Sequence, residues 1–203
     1  MVSELIKSDY YNSIHTAGRQ TYPWSHQKVN SCHADFENFD EFKPDAIIHD
    51  VYICLGTTRK KAGSKANFRR VDFDYVLNIG KWARKHGVEK LAVISSMGAN
   101  SKSSNFYLKT KGEMEDAIAR LGIPKVVIFR PSLLLGKRKE FRLMEKISIG
   151  IMTPVKYVMA GKLRKYKPVA AKTVAHAMFR YSVSAKAGIT IVENEAILNI
   201  GLD

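Results

Sequence analysis

The sequence predicts an α/β fold, a doubly wound parallel sheet with helices on both of its faces. Three observations indicate this fold. Short apolar runs alternate along the chain with segments of helical periodicity, at the spacing of βα units. The apolar runs are nearly continuous, as expected of parallel strands that are covered on both faces. A length of 203 residues suits one domain with a sizeable core.

The N-terminal half is predicted to contain a short helix, three strands and a long helix. The spacing of Val2, Leu5 and Ile6 is helical. The predicted strands lie at residues 12–17, 28–33 and 46–55, a polar loop at 57–66, and the long helix at 67–85. This helix is the best in the sequence, because apolar residues recur every three or four positions and Gly87 follows as a C-terminal cap. Its apolar face consists of Phe68, Val71, Tyr75, Ile79 and Trp82.

The C-terminal half is predicted to contain three more strands and three more helices. The strands lie at residues 91–94, 126–129 and 189–192, and the helices at 106–121, near 141–149 and near 170–182. Ligands of such sheets bind outside the carboxyl ends of the strands. We therefore expect the loops after Leu55, Ser96 and Arg130 to line one crevice.

The stretch from Ser95 to Lys111 carries the clearest chemical pattern. Tyr107 and Lys111 are four residues apart on a predicted helix, so they share a face. An ammonium group near a phenol favours the phenolate and so prepares it for proton transfer. A serine hydroxyl at the end of the preceding strand would hydrogen-bond a carbonyl or alcohol oxygen. Since adjacent strand residues point to opposite faces, only one of Ser95 and Ser96 reaches that position.

Each part of this pattern also has a purely structural reading. A Tyr-x-x-x-Lys pair is expected about once by chance in a chain with nine tyrosines. An exposed helix face accommodates both side chains, and Ser95 and Ser96 suit the end of a strand. The position of the pair directly after a buried strand favours the catalytic interpretation.

The net charge of +14 suggests anionic partners, such as phosphates, nucleic acid or an acidic membrane surface. We interpret the basic segments 59–61 and 137–139 as solvated loops, so nucleic acid is not the expected partner. The histidines have no ligand spacing such as HExxH, and no metal site is predicted. Anionic small molecules remain the partners that this charge favours.

The cysteines and the hydropathy pattern concern the cellular compartment. Cys32 and Cys54 lack the spacing of a metal or redox motif, so we expect reduced thiols. No apolar run approaches the roughly 18 residues of a membrane span, and no signal peptide is recognisable. These observations predict a soluble cytoplasmic protein without a membrane partner.

Taken together, the motifs resemble those of the atypical short-chain dehydrogenase/reductases, a family with an NAD(P)-binding Rossmann-like fold. Within that family the sequence is most similar to the Tat-interacting-protein oxidoreductase group. The resemblance is carried by Cys54-Leu55-Gly56-Thr57-Thr58-Arg59, Val71-Asp72, Ser95-Ser96-Met97-Gly98-Ala99, Tyr107 with Lys111-Gly112-Glu113, and Phe129-Arg130-Pro131. These segments span most of the chain.

The resemblance implies a role for each of several residues. Tyr107 would be the catalytic acid/base, Lys111 would bind the nicotinamide ribose, and Ser96 would assist. Arg19 would take the adenosine 2′-phosphate, which implies NADP(H) rather than NAD. The complete set of implied cofactor contacts is Arg19, Asp35, Phe36, Leu55, Gly56, Thr57, Ser95, Lys111, Pro131, Leu133, Leu134 and Arg142. The resemblance also implies one domain over residues 1–203, in which 137–203 contributes the C-terminal, substrate-side part.

One departure from the family pattern keeps two functions open. The first strand and its glycine-rich turn, which would hold the pyrophosphate, are missing from the sequence. The chain opens instead with residues that resemble the following helix. The first candidate function is an NADP(H)-dependent oxidoreductase that acts on a small carbonyl or alcohol substrate. The second is a regulatory or scaffold protein that keeps the NAD(P)-binding fold but has lost turnover.

Overall fold

The structure is a computed structural model that describes residues 1–21, 24–135 and 161–200. A π-helix, Arg70–Asp74, joins two of its α-helices, and 3₁₀-helices occupy Phe39–Glu41 and Gly161–Tyr166. The α-helices are α1 (Val2–Ile6), α2 (Arg59–Ala62), α3 (Lys65–Arg69), α4 (Tyr75–Lys85), α5 (Phe106–Ala119), α6 (Ala171–Val183) and α7 (Asn194–Asn199).

All strand pairs within the described residues are parallel. The strands are β1 (Ile14–Gly18), β2 (Val29–His33), β3 (Asp50–Ile53), β4 (Lys90–Ile94), β5 (Lys125–Arg130), β6 (Leu134–Leu135), β7 (Val169–Ala170) and β8 (Gly188–Glu193). One sheet has four strands in the order β3-β4-β5-β8, β1 pairs with β2, and β6 pairs with β7. The predicted α/β fold with a parallel sheet is confirmed. In the part of the chain that is described, the sheet is divided, because β1 and β3 do not pair.

Several element boundaries differ from the sequence prediction. The loop predicted at 57–66 contains α2 and the start of α3, because the side chains of Thr58 and Ser64 cap these helices by accepting backbone N–H groups. The strand predicted at 46–55 shortens to Asp50–Ile53, and the helix predicted at 67–85 is interrupted by the π-helix. The pair β6 and β7 and helix α7 were not predicted, and the helix predicted near 141–149 lies outside the described residues.

The core lies on both faces of the four-stranded sheet. On one face Leu91 and Val93 pack with apolar residues of α4 and α5. On the other face Ala92 packs with apolar residues of α6. Because successive residues of β4 point to opposite faces and both faces are covered, its sequence is a continuous apolar run. This burial fixes the carboxyl edge of the sheet, where the candidate site lies.

Candidate active site

The loops after β4 and β5 meet at the carboxyl edge of the four-stranded sheet. The backbone N–H of Met97 donates to the carbonyl oxygen of Pro131 across 2.9 Å. The N–H of Asn100 donates to the carbonyl oxygen of Leu108, in the first turn of α5, across 3.1 Å. The loop after β4 is therefore held between the end of β5 and the start of α5, and these two loops share one edge as expected.

Ser95 and Ser96 follow β4 and differ in burial. Ser95 is 4% exposed, and its Oγ has no hydrogen-bond partner among the described residues. Ser96 is half-buried, and its hydroxyl lies 3.4 Å from the carbonyl oxygen of Met97, at the limit of a hydrogen bond. The hydroxyl of Ser96 is thus weakly engaged, whereas that of Ser95 is enclosed.

Tyr107 lies in the first turn of α5, which a side chain caps. The Oδ1 of Asn105 accepts the backbone N–H groups of Tyr107 and Leu108 at 2.9 and 3.2 Å. The half-buried ring of Tyr107 packs against Phe68, with 5.6 Å between the ring centroids. No hydrogen bond of the phenol oxygen is present within the described ranges. The ring is therefore positioned by packing rather than by a hydrogen bond of its hydroxyl.

Lys111 is buried in an ion pair that the sequence did not predict. Its Nζ lies 2.7 Å from Oδ1 of Asp72, and the two side chains are 4% and 2% exposed. Oδ2 of Asp72 accepts the backbone N–H of Thr57 across 2.8 Å. Asp72 therefore ties the loop after β3 to α5. The carboxylate of Asp72 also offsets the charge of the Lys111 ammonium group.

The π-helix explains why sequence reasoning missed Asp72. The predicted apolar face included Val71 and Tyr75, but both are only half-buried. Asp72 and Val76 are buried in their place. A π-helical turn holds an extra residue and so shifts which side chains face the core. The available signal was a carboxylate beside the apolar positions of the best helix in the sequence.

Gly112 allows the loop after β4 to approach α5 closely. A Cβ atom on Gly112 would lie 2.1 Å from the backbone N of Ser101 and 2.3 Å from the carbonyl carbon of Asn100. Both of these are backbone atoms, which cannot move without shifting the loop. A larger residue at this position would thus displace the segment that follows Ser96.

Arg130 anchors the end of β5 to α5. Its Nε and Nη2 donate to the two carboxylate oxygens of Glu115 at 3.0 and 2.6 Å, and its Nη1 donates to Glu193 at 2.9 Å. The hydrogen bond to Glu115 is the main cause of a raised pKa for the Arg130 guanidinium, which stays charged. This two-point contact fixes the direction of the chain as it enters Pro131.

The residues expected around the adenosine end lie beside β1 and β2. Arg19 is exposed directly after β1. Asp35 is exposed, and hydrogen bonds from Glu37 and Asn38 lower the pKa of its carboxyl group. Phe36, by contrast, is 5% exposed in the core. The structure therefore presents Arg19 and Asp35 at the surface but not Phe36.

The other predicted cofactor contacts lie in the segments that follow β3 and β5. Leu55 and Thr57 are half-buried, and Gly56 is exposed close to Asp72. Pro131 is buried, whereas the side chains of Leu133 and Leu134 are 46% and 42% exposed. Arg142 lies outside the described residues. The structure thus links the 55–57 loop to Lys111 through Asp72 and holds the loop after the serine pair against the start of α5. The adenosine-end residues lie on the separate β1–β2 unit.

No protein-family profile matches the chain. Protein HTATIP2 of Rattus norvegicus is 34% identical over 208 residues, and the match covers all of this chain and 84% of that protein. The chain belongs to the HTATIP2 family. This relationship confirms the resemblance to the Tat-interacting-protein group.

The names of yeast relatives contradict the predicted cytoplasmic location. Protein FMP52 of Candida albicans is 40% identical over 147 residues, which cover 68% of this chain and 64% of that protein, and it is named as mitochondrial. Protein FMP52-1 of Scheffersomyces stipitis is 38% identical over 156 residues and is also named as mitochondrial. The prediction of a cytoplasmic location is therefore wrong. Its physical basis was too weak, because cysteine usage separates reducing from oxidising compartments and nothing finer.

Solved structures resemble this HTATIP2 family member in fold. MoeE5 in complex with UDP-glucose and NAD aligns with a TM-score of 0.65 at 14% identity, over 94% of this chain and 69% of that protein. The Bordetella bronchiseptica enzyme WbmH in complex with NAD⁺ aligns with a TM-score of 0.65 at 13% identity, over 95% and 70%. The fold is therefore Rossmann-like.

Two further features concern the part of the chain that the structure describes. None of the helices there has both the length and the apolar character of a membrane span. No group of three or more His, Cys, Asp or Glu side chains there is arranged to hold a metal ion.

Proposed function

We propose that the chain is an NADP(H)-dependent oxidoreductase that transfers hydride to or from a small carbonyl or alcohol substrate. The observation that supports this proposal is that the loop after Ser96 is hydrogen-bonded to the first turn of α5, the helix that carries Tyr107 and Lys111. The free phenol of Tyr107 handles the proton, and the hydroxyl of Ser96 hydrogen-bonds the reacting oxygen. The substrate-side part of the domain is residues 137–203.

The residues at this edge suit the nicotinamide and ribose end of the cofactor. A lysine ammonium has three N–H donors, and the ion pair with Asp72 engages one side of the Lys111 group. Its remaining donors are suited to ribose hydroxyls. The partnerless Oγ of Ser95 and the loop of Pro131, Leu133 and Leu134 adjoin the same edge. The bound nicotinamide would supply or accept the hydride, and the protein would orient it.

Fewer residues are candidates for binding the phosphate end of the cofactor than the nicotinamide end. Arg19 is an exposed cation after β1, suited to a 2′-phosphate, and this residue favours NADP(H) over NAD. Solved structures of the same fold hold either cofactor: MoeE5 was solved with NAD, and RMD from Pseudomonas aeruginosa, which aligns with a TM-score of 0.57, was solved with NADPH. Discrimination between the two therefore depends on Arg19 in this proposal.

Cofactor titration tests the proposal. We expect saturable binding of NADPH, measured by the change in its fluorescence, with weaker binding of NADH. Arg19→Ala should weaken NADPH binding about tenfold or more and leave NADH binding nearly unchanged. Absence of saturable binding at about 1 mM NADPH, the upper end of ordinary enzyme affinities, would contradict the proposal.

The role of Tyr107 needs a variant that preserves its packing. Tyr107→Phe removes only the hydroxyl and keeps the ring against Phe68. We expect reduction of a small aldehyde or ketone panel to fall by about 10²–10⁴-fold, with NADPH affinity retained within a few-fold. Tyr10→Phe, at an exposed tyrosine beside Lys90 at the amino end of β4, is the matched control and should change neither quantity. Equal turnover in the two variants would remove Tyr107 from the reaction.

A regulatory protein that binds the cofactor without turnover is the second candidate. Two observations favour it: the sheet is divided between β1 and β3, and the charge of Lys111 is already paired with Asp72. This candidate predicts saturable NADPH binding with no measurable reduction by the unmodified chain. It also predicts that Tyr107→Phe changes nothing.

A further inference from the structure

The two segments that border the candidate active site contain basic residues and no carboxylate. The first, residues 55–71, runs from the loop after β3 through α2 and α3. The second, residues 95–112, runs from the loop after β4 into α5. Together they contain nine lysines and arginines but no aspartate or glutamate, although the whole chain has 19 acidic residues. The mixture of charges found elsewhere in the chain is therefore missing beside the site.

Only some of these cations are neutralised by carboxylates from outside the two segments. Arg59, Lys60, Lys65 and Lys102 are exposed, and none of them has a carboxylate partner within the described residues. These four cations leave an uncompensated positive charge around the site. The cations that are paired, with their partners, are Lys111 with Asp72, Arg69 with Glu113, and Arg70 with Glu37.

Lys65 of α3 lies beside the turn of α5 that carries Tyr107. Its Nζ is 5.5 Å from the ring centroid of Phe106, the residue that precedes Tyr107. The fully buried ring of Phe68 packs against both of these rings, with centroid separations of 5.8 and 5.6 Å. The exposed ammonium group of Lys65 is therefore one aromatic ring away from the tyrosine.

Arg59 approaches the same part of α5 from α2. The N–H of Thr57 donates to Asp72 across 2.8 Å, and Asp72 pairs with Lys111, one helical turn beyond Tyr107. Arg59 is the first residue of α2, two positions after Thr57. Since two residues span at most about 7 Å, the backbone of Arg59 stays close to the buried ion pair.

Lys102 approaches from the loop after β4. The N–H of Lys102 donates to Oδ1 of Asn100 across 2.9 Å, which makes this part of the loop a tight turn. The N–H of Asn100 in turn donates to the carbonyl oxygen of Leu108, the residue that follows Tyr107. Three separate elements thus each bring an unpaired cation to the N-terminal turns of α5.

The extent of this positive surface indicates the kind of partner that it fits. Cations without counter-ions repel one another, and beside a cleft they raise the local concentration of anions. Carboxylates resume directly after each segment, at Asp72 and Glu113, so the unpaired charge is confined to the surroundings of a few turns of helix. An area of this size suits one small anionic group, whereas a nucleic acid requires cations along a row of phosphates.

We propose that the substrate of the candidate active site is an anionic carbonyl or alcohol compound, whose carboxylate or phosphate group is bound by Arg59, Lys65 and Lys102. The reacting oxygen of the same molecule lies at Tyr107. This inference rests on the proposed oxidoreductase function and adds no step to it. Its contribution is a second point of attachment, which fixes the orientation of the reacting group. It also assigns a role to part of a basic segment that the sequence suggested was merely solvated.

Binding of unreactive analogues tests the anion site without turnover. The probes are 4-methylbenzoate, 4-methylphenyl phosphate and the neutral 4-methylbenzamide, titrated into the full chain and followed by NMR shifts of the amides of residues 57–66 and 97–105. We expect at least one anion to bind about fivefold more tightly than the amide, and the tighter anion distinguishes carboxylate from phosphate. Equal affinities of all three probes would overturn the inference.

A lysine variant and its control assign the preference to the proposed site. Lys65→Met keeps the aliphatic stem beside Phe106 but removes the charge, and should weaken binding of the preferred anion about threefold. Lys81→Met, at an exposed lysine of α4, changes the net charge equally and should leave binding unchanged. An equal loss in both variants would reveal a general charge effect and overturn the inference. A matching loss of NADPH affinity in Lys65→Met would assign this cation to the cofactor and would also overturn it.

Reduction of a matched pair of aldehydes separates failure of this inference from failure of the proposed function. 4-Formylbenzoate and its methyl ester share the ring and the aldehyde but differ in charge. We expect Lys65→Met to lower the ratio of their kcat/KM values, acid over ester, about threefold through the KM of the acid. Turnover of both compounds with a ratio unchanged by Lys65→Met would overturn the inference and leave the proposed function standing. Turnover of neither would contradict the proposed function, and the binding of the unreactive analogues then decides whether the anion site exists.

Discussion

The four-stranded sheet and the β1–β2 unit are built from the same kind of parallel strand but are stabilised differently. In β4 and β5 nearly every residue is buried, since helices cover both faces and neighbours flank both edges. In β1 only Ile14 is buried, and β2 has no buried residue. The smaller unit depends instead on aromatic contacts made by the residues that follow it. Ser96 and Tyr107 therefore adjoin the well-buried part of the fold, whereas Arg19 and Asp35 adjoin the less buried part.

The largest expected effect comes from breaking the ion pair between Asp72 and Lys111. Asp72→Ala leaves the ammonium of Lys111 buried without a partner, and we expect the free energy of unfolding to fall by about 3–5 kcal/mol. Urea denaturation measures this loss. Asp74→Ala, at an exposed carboxylate of the same π-helix, is the matched control and should stay within about 0.5 kcal/mol. A loss below 1 kcal/mol for Asp72→Ala would mean that Lys111 finds another partner at little cost.

A second variant tests whether the β1–β2 unit opens separately. Phe39 is 4% exposed and packs against Trp82 and Phe42. Phe39→Ala removes these contacts and leaves a cavity, so we expect the unit to lose about 3–5 kcal/mol of stability. Hydrogen exchange should then accelerate at β1 and β2 while β4 and β5 keep their protection. Equal acceleration in both regions would show that the two units unfold together.

A pair of glycine variants tests how tightly the loop after β4 packs against α5. Gly112→Ala places a methyl group against the backbone of Asn100 and Ser101, and we expect a loss of about 1–3 kcal/mol in thermal or urea unfolding. Gly80→Ala in α4 meets only the methyl ends of Ile118 and Leu121, which can rotate away. Its cost should be smaller, because alanine also favours the helix by about 1 kcal/mol. The reverse order of the two losses would show that the loop after β4 yields more easily than a packed helix face.

The smallest effect concerns acid stability of the β1–β2 unit. The hydrogen bond from Lys85 lowers the pKa of Asp40 below its usual value of 3.8. A folded-state pKa that is depressed contributes stability above the unfolded value, and this contribution is lost as the pH falls through the folded pKa. Asp40→Asn should therefore lower the free energy of unfolding slightly at neutral pH, and its difference from the unmodified protein should disappear as the pH falls below about 4. Unfolding curves at pH 3 and pH 7 provide the measurement, and an identical slope in both proteins would show that the contact is fully screened.

Much of the four-stranded sheet could be predicted from the sequence, because burial on both faces leaves a continuous apolar run such as residues 91–94. The placement of α5 after a strand that ends in two serines was predicted from periodicity. Strand alternation predicted only that Ser95 and Ser96 differ in direction, and the choice of Ser96 rested on the family resemblance. The partner of Lys111 could not be predicted, since the π-helix changes which residues face α5. Short elements such as α2 and β6 were missed because a few hydrogen bonds, rather than a repeating pattern, define them.

The carboxylate of Asp72 gives two distant chain segments a common contact. Its Oδ1 pairs with Lys111 of α5, and its Oδ2 accepts the N–H of Thr57 in the loop after β3. A shift of that loop therefore perturbs the pair that holds Lys111, and a shift of α5 perturbs the loop. A ligand that orders one of the two segments would reduce the conformational entropy that the other still has to lose. The two segments would then respond to that ligand as one cooperative unit.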